Sequence, residues 1–263
     1  VKVAAIVESR LASTRLPGKG LRPLHGRPLL ARLLERLRRC ETVHEICVAT
    51  STDDTDAPIE ELARREGAAC HRGPLEDVLG RVLGAATALE ADVVVEITGD
   101  CPLVDPRIVD AAVRRLLRGD VDYVANVLDR LSFPVGLDVQ VYPTARLAEV
   151  AQLTDDPYDR NNVTPFFYRN PQRYRLLNLF APPELDRPGY RLCVDYPQDF
   201  ALVESVYREL HAADPAFGAH AIIALLDARP ELARSNTAVP DAFSFPSSGG
   251  RALQEPLQLP CAR

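Results

Sequence analysis

Three stretches of the chain carry residue types that can handle a phosphate ester. The first runs Glu8-Ser-Arg-Leu-Ala-Ser-Thr-Arg-Leu-Pro-Gly-Lys19 and sets Arg10, Ser13, Thr14, Arg15, Gly18 and Lys19 between a strand-like segment and a helix-like one. Backbone N–H groups in such a place are free to bind anions. Lysine occurs only at positions 2 and 19 among 31 basic residues, which makes Lys19 stand out. The loop is not a Walker A loop, because the glycine spacing fails and no Ser or Thr follows Lys19, and no G-x-G-x-x-G fingerprint exists. Taken alone it reads equally as a solvated basic loop. Its length inside a compact domain favours function.

The second stretch, Thr98-Gly-Asp100-Cys-Pro102, holds a carboxylate just past an apolar run, at a turn loosened by glycine and stiffened by proline. The third, Val194-Asp195-Tyr-Pro-Gln-Asp199, repeats that arrangement before a proline-initiated helix. A carboxylate so held can ligate Mg²⁺, which takes one or two carboxylates and leaves its other positions to water and phosphate. Turn shaping and helix capping are the competing readings. A phosphate cradle with two metal-competent carboxylates suits phosphoryl or nucleotidyl transfer. Attack on an α-phosphate needs the triphosphate charge neutralised and the pyrophosphate leaving group stabilised, and Mg²⁺ with Lys and Arg supplies both without a protein nucleophile. Ser13, Ser51 and Cys101 have no histidine near them in sequence, so covalent catalysis is not expected.

The elements that must position these residues alternate along the chain. Val3 to Val7, Ile46 to Thr50, Ala68 to His71 and Asp92 to Thr98 read as strands. Between them, helical spacing predicts helices over Pro28 to Cys40, from Asp56 with Pro58 in its first turn, and over Asp77 to Glu90, and Asp105-Pro106 caps another to Arg118. This is an α/β pattern with a largely parallel sheet, whose ligands bind at the carboxyl ends of the strands. Beyond Tyr123 the rhythm changes to strands at Tyr123 to Asn126, Leu137 to Tyr142, Tyr174 to Phe180 and Arg191 to Val194, a helix from Thr144, and an irregular Asp155 to Asn170, read as the second wall of a cleft. A helix over Pro197 to Leu210 closes the fold, and the Pro-, Ser- and Gly-rich end reads as disordered.

Composition narrows the partners. A chain of 263 residues with 46% hydrophobic residues is long enough for a large core. A net charge of -6 gives no cationic field for nucleic acid. No apolar run reaches membrane-spanning length, and the first residues lack a signal-peptide layout, so a cytoplasmic protein without membrane partner is expected. The six cysteines are scattered without zinc spacing and read as reduced thiols.

Five ordered motifs, Ala12-Ser-Thr-Arg-Leu-Pro-Gly-Lys19, Thr98-Gly-Asp-Cys-Pro-Leu-Val-Asp-Pro106, Gly136-Leu-Asp-Val-Gln-Val141, Asn162-Val-Thr-Pro165 and Val194-Asp-Tyr-Pro-Gln-Asp-Phe200, together resemble the cytidylyltransferases of the spore-coat polysaccharide type. These are relatives of the 3-deoxy-manno-octulosonate and acylneuraminate cytidylyltransferases. The resemblance covers about residues 1 to 210. It implies a Rossmann-like, GT-A-like nucleotide-diphospho-sugar transferase fold with helices on both faces of the sheet, and transfer of CMP from CTP to an acceptor with Mg²⁺. It implies that Arg10, Ser13, Thr14, Arg15 and Lys19 hold the triphosphate, with Lys19, Arg10 and Asp100 catalytic and Asp100 and Asp195 ligating magnesium. Thr50, Ser51, Asp53, Arg72 and Asp77 would lie near base and ribose. Asp138, Gln140, Arg160, Asn161, Asn162 and Thr164 would face the acceptor.

Two positions depart from the family pattern. Relatives usually have Gln-Ala-Arg where this chain has Glu8-Ser9-Arg10, and Glu-His where it has Asn161-Asn162. A histidine that could take a proton is thus replaced by an amide that cannot. An acceptor that is already an anion, such as a carboxylate, phosphate or phosphonate, needs no base, so a small acidic acceptor is expected. Transfer from another nucleoside triphosphate, and a nucleotide-binding subunit without turnover, are the rival readings. A transferase domain over residues 1–236, with a nucleotide half to about 120 and an acceptor-side half over about 121–210, a disordered tail over 237–263 and a homodimer complete the expectations.

Overall fold

The computed structural model describes residues 1–240 and 246–259. In chain order its elements are β1 (Val3–Glu8), β2 (Pro23–Leu24), β3 (Arg27–Pro28), α1 (Leu29–Leu37), β4 (Glu45–Ser51), α2 (Ala57–Arg65), β5 (Ala69–Gly73), α3 (Val78–Ala88), β6 (Val93–Thr98) and α4 (Pro106–Leu116). There follow β7 (Tyr123–Ala125), β8 (Gln140–Pro143), α5 (Thr144–Leu153), α6 (Pro157–Asn162), α7 (Pro165–Arg169), β9 (Leu176–Phe180), α8 (Pro197–Leu210), α9 (Ala219–Ala228), α10 (Pro230–Ala233) and β10 (Leu253–Pro256). The main sheet has the order β10-β9-β7-β8-β6-β1-β4-β5. Every pairing in it is parallel except those that β8 makes with β6 and β7.

Period-2 alternation along β1 explains its central place. Val3, Ala5 and Val7 enter one core, shared with α1, α2, α4, α8 and α9, while Ala4 and Ile6 enter the other, shared with α3, α5 and α7. A strand covered on both faces reads as one apolar run. The chain order crosses at β1, which sits between β4 and β6, so the carboxyl ends of β1 and β6 open a crevice at a topological switch point. Glu8 pairs with Thr98 at that end. Gly99 then donates to the Glu8 carbonyl at 2.8 Å, and a Cβ on Gly99 would stand 2.5 Å from that oxygen, so only glycine lets the second loop lie against the first.

The expected α/β alternation up to α4 is present with shifts of a few residues at element ends. The second half departs further. Asp155 to Asn170, read as irregular, holds α6 and α7, because Asp156 accepts from the Tyr158 amide at 2.9 Å and prolines occupy the first turns of both helices. Arg191 to Val194 is not a strand. It makes a single bridge to Val135, beside Gly136, whose φ of 103° and closeness to the Cys193 backbone set the crossing of the two segments. The helix α9 was not anticipated. The end of the chain also carries structure: β10 adds to β9 in parallel, and Arg115 on α4 binds Glu255 at 2.7 Å and Asp120 at 2.6 Å. Polar composition hid this strand, since Ala252 and Leu257 are its buried apolar contacts. The rest of the expected tail, 241–245 and 260–263 with Cys261, lies outside the described residues.

Candidate active site

The first loop leaves β1, turns through one 3-10 turn at Lys19–Leu21, and returns by the two-residue strands β2 and β3 to α1. Leu16 on this loop is 2% exposed and packs in the larger core, which anchors an otherwise polar segment. Leu11 donates its amide to Asp56 at 2.7 Å. These ties leave Arg10, Ser13, Thr14, Arg15 and Lys19 along a cavity of about 490 Å³ that Asp100, Asn161, Asn162 and Asp195 also line. All three loops singled out by sequence meet there.

Lys19 is the centre of the charge arrangement. Its Nζ donates to Asp100 Oδ2 at 2.7 Å, to Asp195 Oδ1 at 3.0 Å and to the Val194 carbonyl at 2.9 Å. Burial works against the Lys19 charge, but the two carboxylates outweigh it and hold its pKa above the ordinary value. Asp195 is held below the usual carboxylate range: burial opposes its charge, while Lys19 and then Arg15, at 2.7 Å, overcome that opposition. Arg191 binds the other oxygen of Asp195 at 2.9 Å and also Asp199 at 3.1 Å. Asp199 in turn accepts from the Asp195 and Tyr196 amides, so the capping role and the charge role fall on different aspartates of the motif.

Two carboxylates gathered around one cation, both with hard oxygen donors, match what Mg²⁺ takes from a protein. The donor set fits the metal.

The other predicted residues divide sharply. Thr50 and Ser51 are fully buried, and Ser51 donates to Asp56. Asp53 accepts from the Thr55 amide at 2.9 Å, and Arg72 donates to the Ser51 and Asp53 carbonyls and to Glu60. Asp77 caps α3 and binds Arg160 at 2.5 Å. None of these lines the cavity. Asp138 lies just before β8, and burial pushes its carboxyl up to about 7, with the Gly136 amide lowering it and Asp100 raising it. Gln140 accepts from Tyr123 at 2.5 Å and from Thr164 at 2.7 Å, inside the wall rather than on its surface.

Among the further residues that line the cavity are two charged ones that the motif reading did not place in the site, Glu8 and Arg81. Glu8 ends β1 and Glu96 lies on the neighbouring strand; their side chains share a hydrogen bond, and Tyr142 donates to Glu96. Burial raises both carboxyls, Glu8 to about 7, with Glu96 and then Arg81 lowering it. Arg81, 2% exposed, donates from Nη1 to the Pro74 and Leu75 carbonyls. A signal existed for Arg81: it is the single charge within Val78 to Ala88, a helix otherwise apolar or small.

The family model described as cytidylyltransferase matches residues 4–217. The chain belongs to the cytidylyltransferase family. It is 33% identical over 241 residues to an uncharacterised protein of Methanocaldococcus jannaschii, covering 91% of this chain and 96% of that one. It is 31% identical over 239 residues to the spore coat polysaccharide biosynthesis protein SpsF of Bacillus subtilis, covering 89% and 97%. Among solved structures, a cytidylyltransferase from Leptospira borgpetersenii superposes with a TM-score of 0.84 at 28% identity, covering 91% of this chain and 99% of the other. The family membership and the mostly parallel nucleotidyltransferase-like fold agree with the motif resemblance. No helix among the described residues is long and apolar enough to cross a membrane.

Proposed function

We propose that this cytidylyltransferase moves CMP from CTP to a small anionic acceptor and releases pyrophosphate, with Mg²⁺, as a cytoplasmic homodimer. The observation that carries the reading is Lys19 held between Asp100 and Asp195 in the cavity that the arginine-bearing loop lines. An acceptor oxygen attacks the α-phosphorus, the bond from the α-phosphorus to the bridging oxygen breaks, and that oxygen leaves with pyrophosphate. Arg10 and Arg15, with Ser13 and Thr14, hold the triphosphate, and Lys19 meets the charge that develops on it. Asp100 and Asp195 would hold Mg²⁺, which supplies charge neutralisation at the phosphates. Once the triphosphate binds, Lys19 exchanges carboxylate contacts for phosphate ones, and Arg191 keeps Asp195 oriented.

On the acceptor side, Asn161 and Asn162 are exposed in the cavity and offer amides, which bind an anion and take no proton. Asp138, Gln140, Arg160 and Thr164 support that wall. An acceptor that arrives as a carboxylate, phosphate or phosphonate fits a site with no basic histidine. The test is pyrophosphate release with Mg²⁺ and each of the four ribonucleoside triphosphates, crossed with sugar acids, sugar phosphates and phosphonates. Release with CTP and one acceptor class is expected. Nucleotide binding without release from any pair would turn the reading to a silent binding subunit.

A further inference from the structure

Among the described residues, two that line the cavity each carry a buried polar atom with no hydrogen-bond partner: Glu8 Oε1, an acceptor, and Arg81 Nε, a donor. Unfilled buried polar atoms are costly and rare, and each requires a reason. Here the two lie close enough to interact electrostatically and line the same cavity as the phosphate loop. The bond to Glu96 engages one carboxyl oxygen of Glu8 and leaves Oε1 as the free acceptor.

We infer that Glu8 reads the base of the bound nucleotide, accepting from the 4-amino group of cytosine, with Arg81 donating to the acceptor atoms beside that group. The inference rests on the cytidylyl-transfer reading. A wall with one free acceptor and one free donor selects a ligand edge that carries a donor next to an acceptor. Cytosine has that edge, its amino group standing beside ring acceptors, and carboxylates accept from this amine in base recognition. Uracil places an oxygen where cytosine has the amine, and so meets Glu8 with acceptor against acceptor. The location agrees: Glu8 precedes the phosphate-binding Arg10 by two residues, and Arg81 sits on α3, which packs on β1, β4 and β5 as well as on α5 and α6.

The test is calorimetric titration of CTP and of UTP, each with Mg²⁺, into wild type, Glu8→Leu, Glu8→Ala and Glu8→Gln, with melting temperatures to establish folding. Wild type should prefer CTP. Glu8→Leu should reduce that preference roughly 10- to 100-fold, through weaker CTP binding, with UTP binding unchanged or tighter; Glu8→Ala serves if the leucine variant is unfolded. Glu8→Gln should keep the preference within about threefold, because its amide N–H turns to Glu96 and its carbonyl replaces Oε1. A folded leucine or alanine variant with the wild-type preference overturns the inference and leaves the reaction standing. A wild type that binds UTP as tightly as CTP overturns the cytidylyl reading itself. A variant with an altered acceptor KM and an unchanged CTP to UTP ratio moves Glu8 to the acceptor side and also overturns the inference.

Discussion

The loop ends of β1, β6 and the segment before α8 form a site of paired full charges along the cavity, whereas in the wall made by β8, α6 and α7 the ion pairs, Arg160 with Asp77 and Arg169 with Asp159, lie outside the cavity lining and neutral hydrogen bonds run through the sheet. In the first, Lys19 sits between Asp100 and Asp195, and Arg15 and Arg191 flank Asp195. In the second, Tyr123 and Thr164 donate to Gln140, and Tyr142 donates to Glu96. The first arrangement is ready to exchange its internal partners for phosphates and a cation, since Arg15, Lys19, Asp100 and Asp195 line the cavity itself. The second has Gln140, Thr164 and Glu96 bonded within the protein and so fixes shape, with Asn161 and Asn162 exposed on its cavity side. A small change of charge should therefore abolish function in the first region and alter stability or selectivity in the second.

The largest effect should come from Lys19→Met. Removing the one ammonium aimed at the triphosphate should lower turnover about 10³-fold while the fold survives, because Asp195 keeps Arg15 and Arg191. Pyrophosphate release under saturating CTP measures it, and a loss below tenfold would break the contrast. Next is Asp195→Asn, which leaves Arg191 and Lys19 without their shared counter-charge at a side chain only 4% exposed. A stability loss of about 2–3 kcal/mol is expected in chemical denaturation, together with loss of turnover.

Asp138→Asn should act through pH. The folded chain holds the Asp138 proton up to about 7, while an unfolded chain releases it near about 4. Between those values the folded state binds more protons, so this group's contribution falls as pH rises and is fully lost above the folded value. The asparagine variant should therefore gain up to about 4 kcal/mol on wild type between pH 4 and pH 8, read from denaturation curves at each pH. An unchanged pH slope would sink the assignment. The smallest effect is expected for Arg72→Ala. It loses hydrogen bonds to the Ser51 and Asp53 carbonyls, a cost of about 1 kcal/mol. Its KM for CTP should stay within about twofold; a tenfold rise would place Arg72 at the nucleotide after all.

Much of this was legible in residue order. Gly, Pro and Asp at strand ends, apolar runs covered on two faces, and a lone lysine in an arginine-rich chain all carry local signals, and they located the three loops and the strands β1, β4, β5 and β6, while the two-residue strands β2 and β3 lay inside what read as a loop. What failed shares a physical cause. Ser51, Asp53 and Arg72 also lie at or near strand ends, yet their polar groups are consumed by local hydrogen bonds that spacing alone does not reveal, and Thr50 is buried away from the cavity. The strand β10 gains its stability from Arg115, 140 positions away in sequence, and from pairing with β9.

The sequence by itself determined the chemistry on offer: a phosphate-binding loop, two metal-competent carboxylates and a parallel sheet to hold them, because each depends on residue type and near-neighbour spacing. Only the tertiary structure decided that Lys19 bridges Asp100 and Asp195, 81 and 176 positions distant, and that Glu8 and Arg81 line the same cavity, each with a buried polar atom left without a partner. Those facts depend on strand order and on which polar groups burial leaves without a partner, and neither is written in any local stretch of the chain.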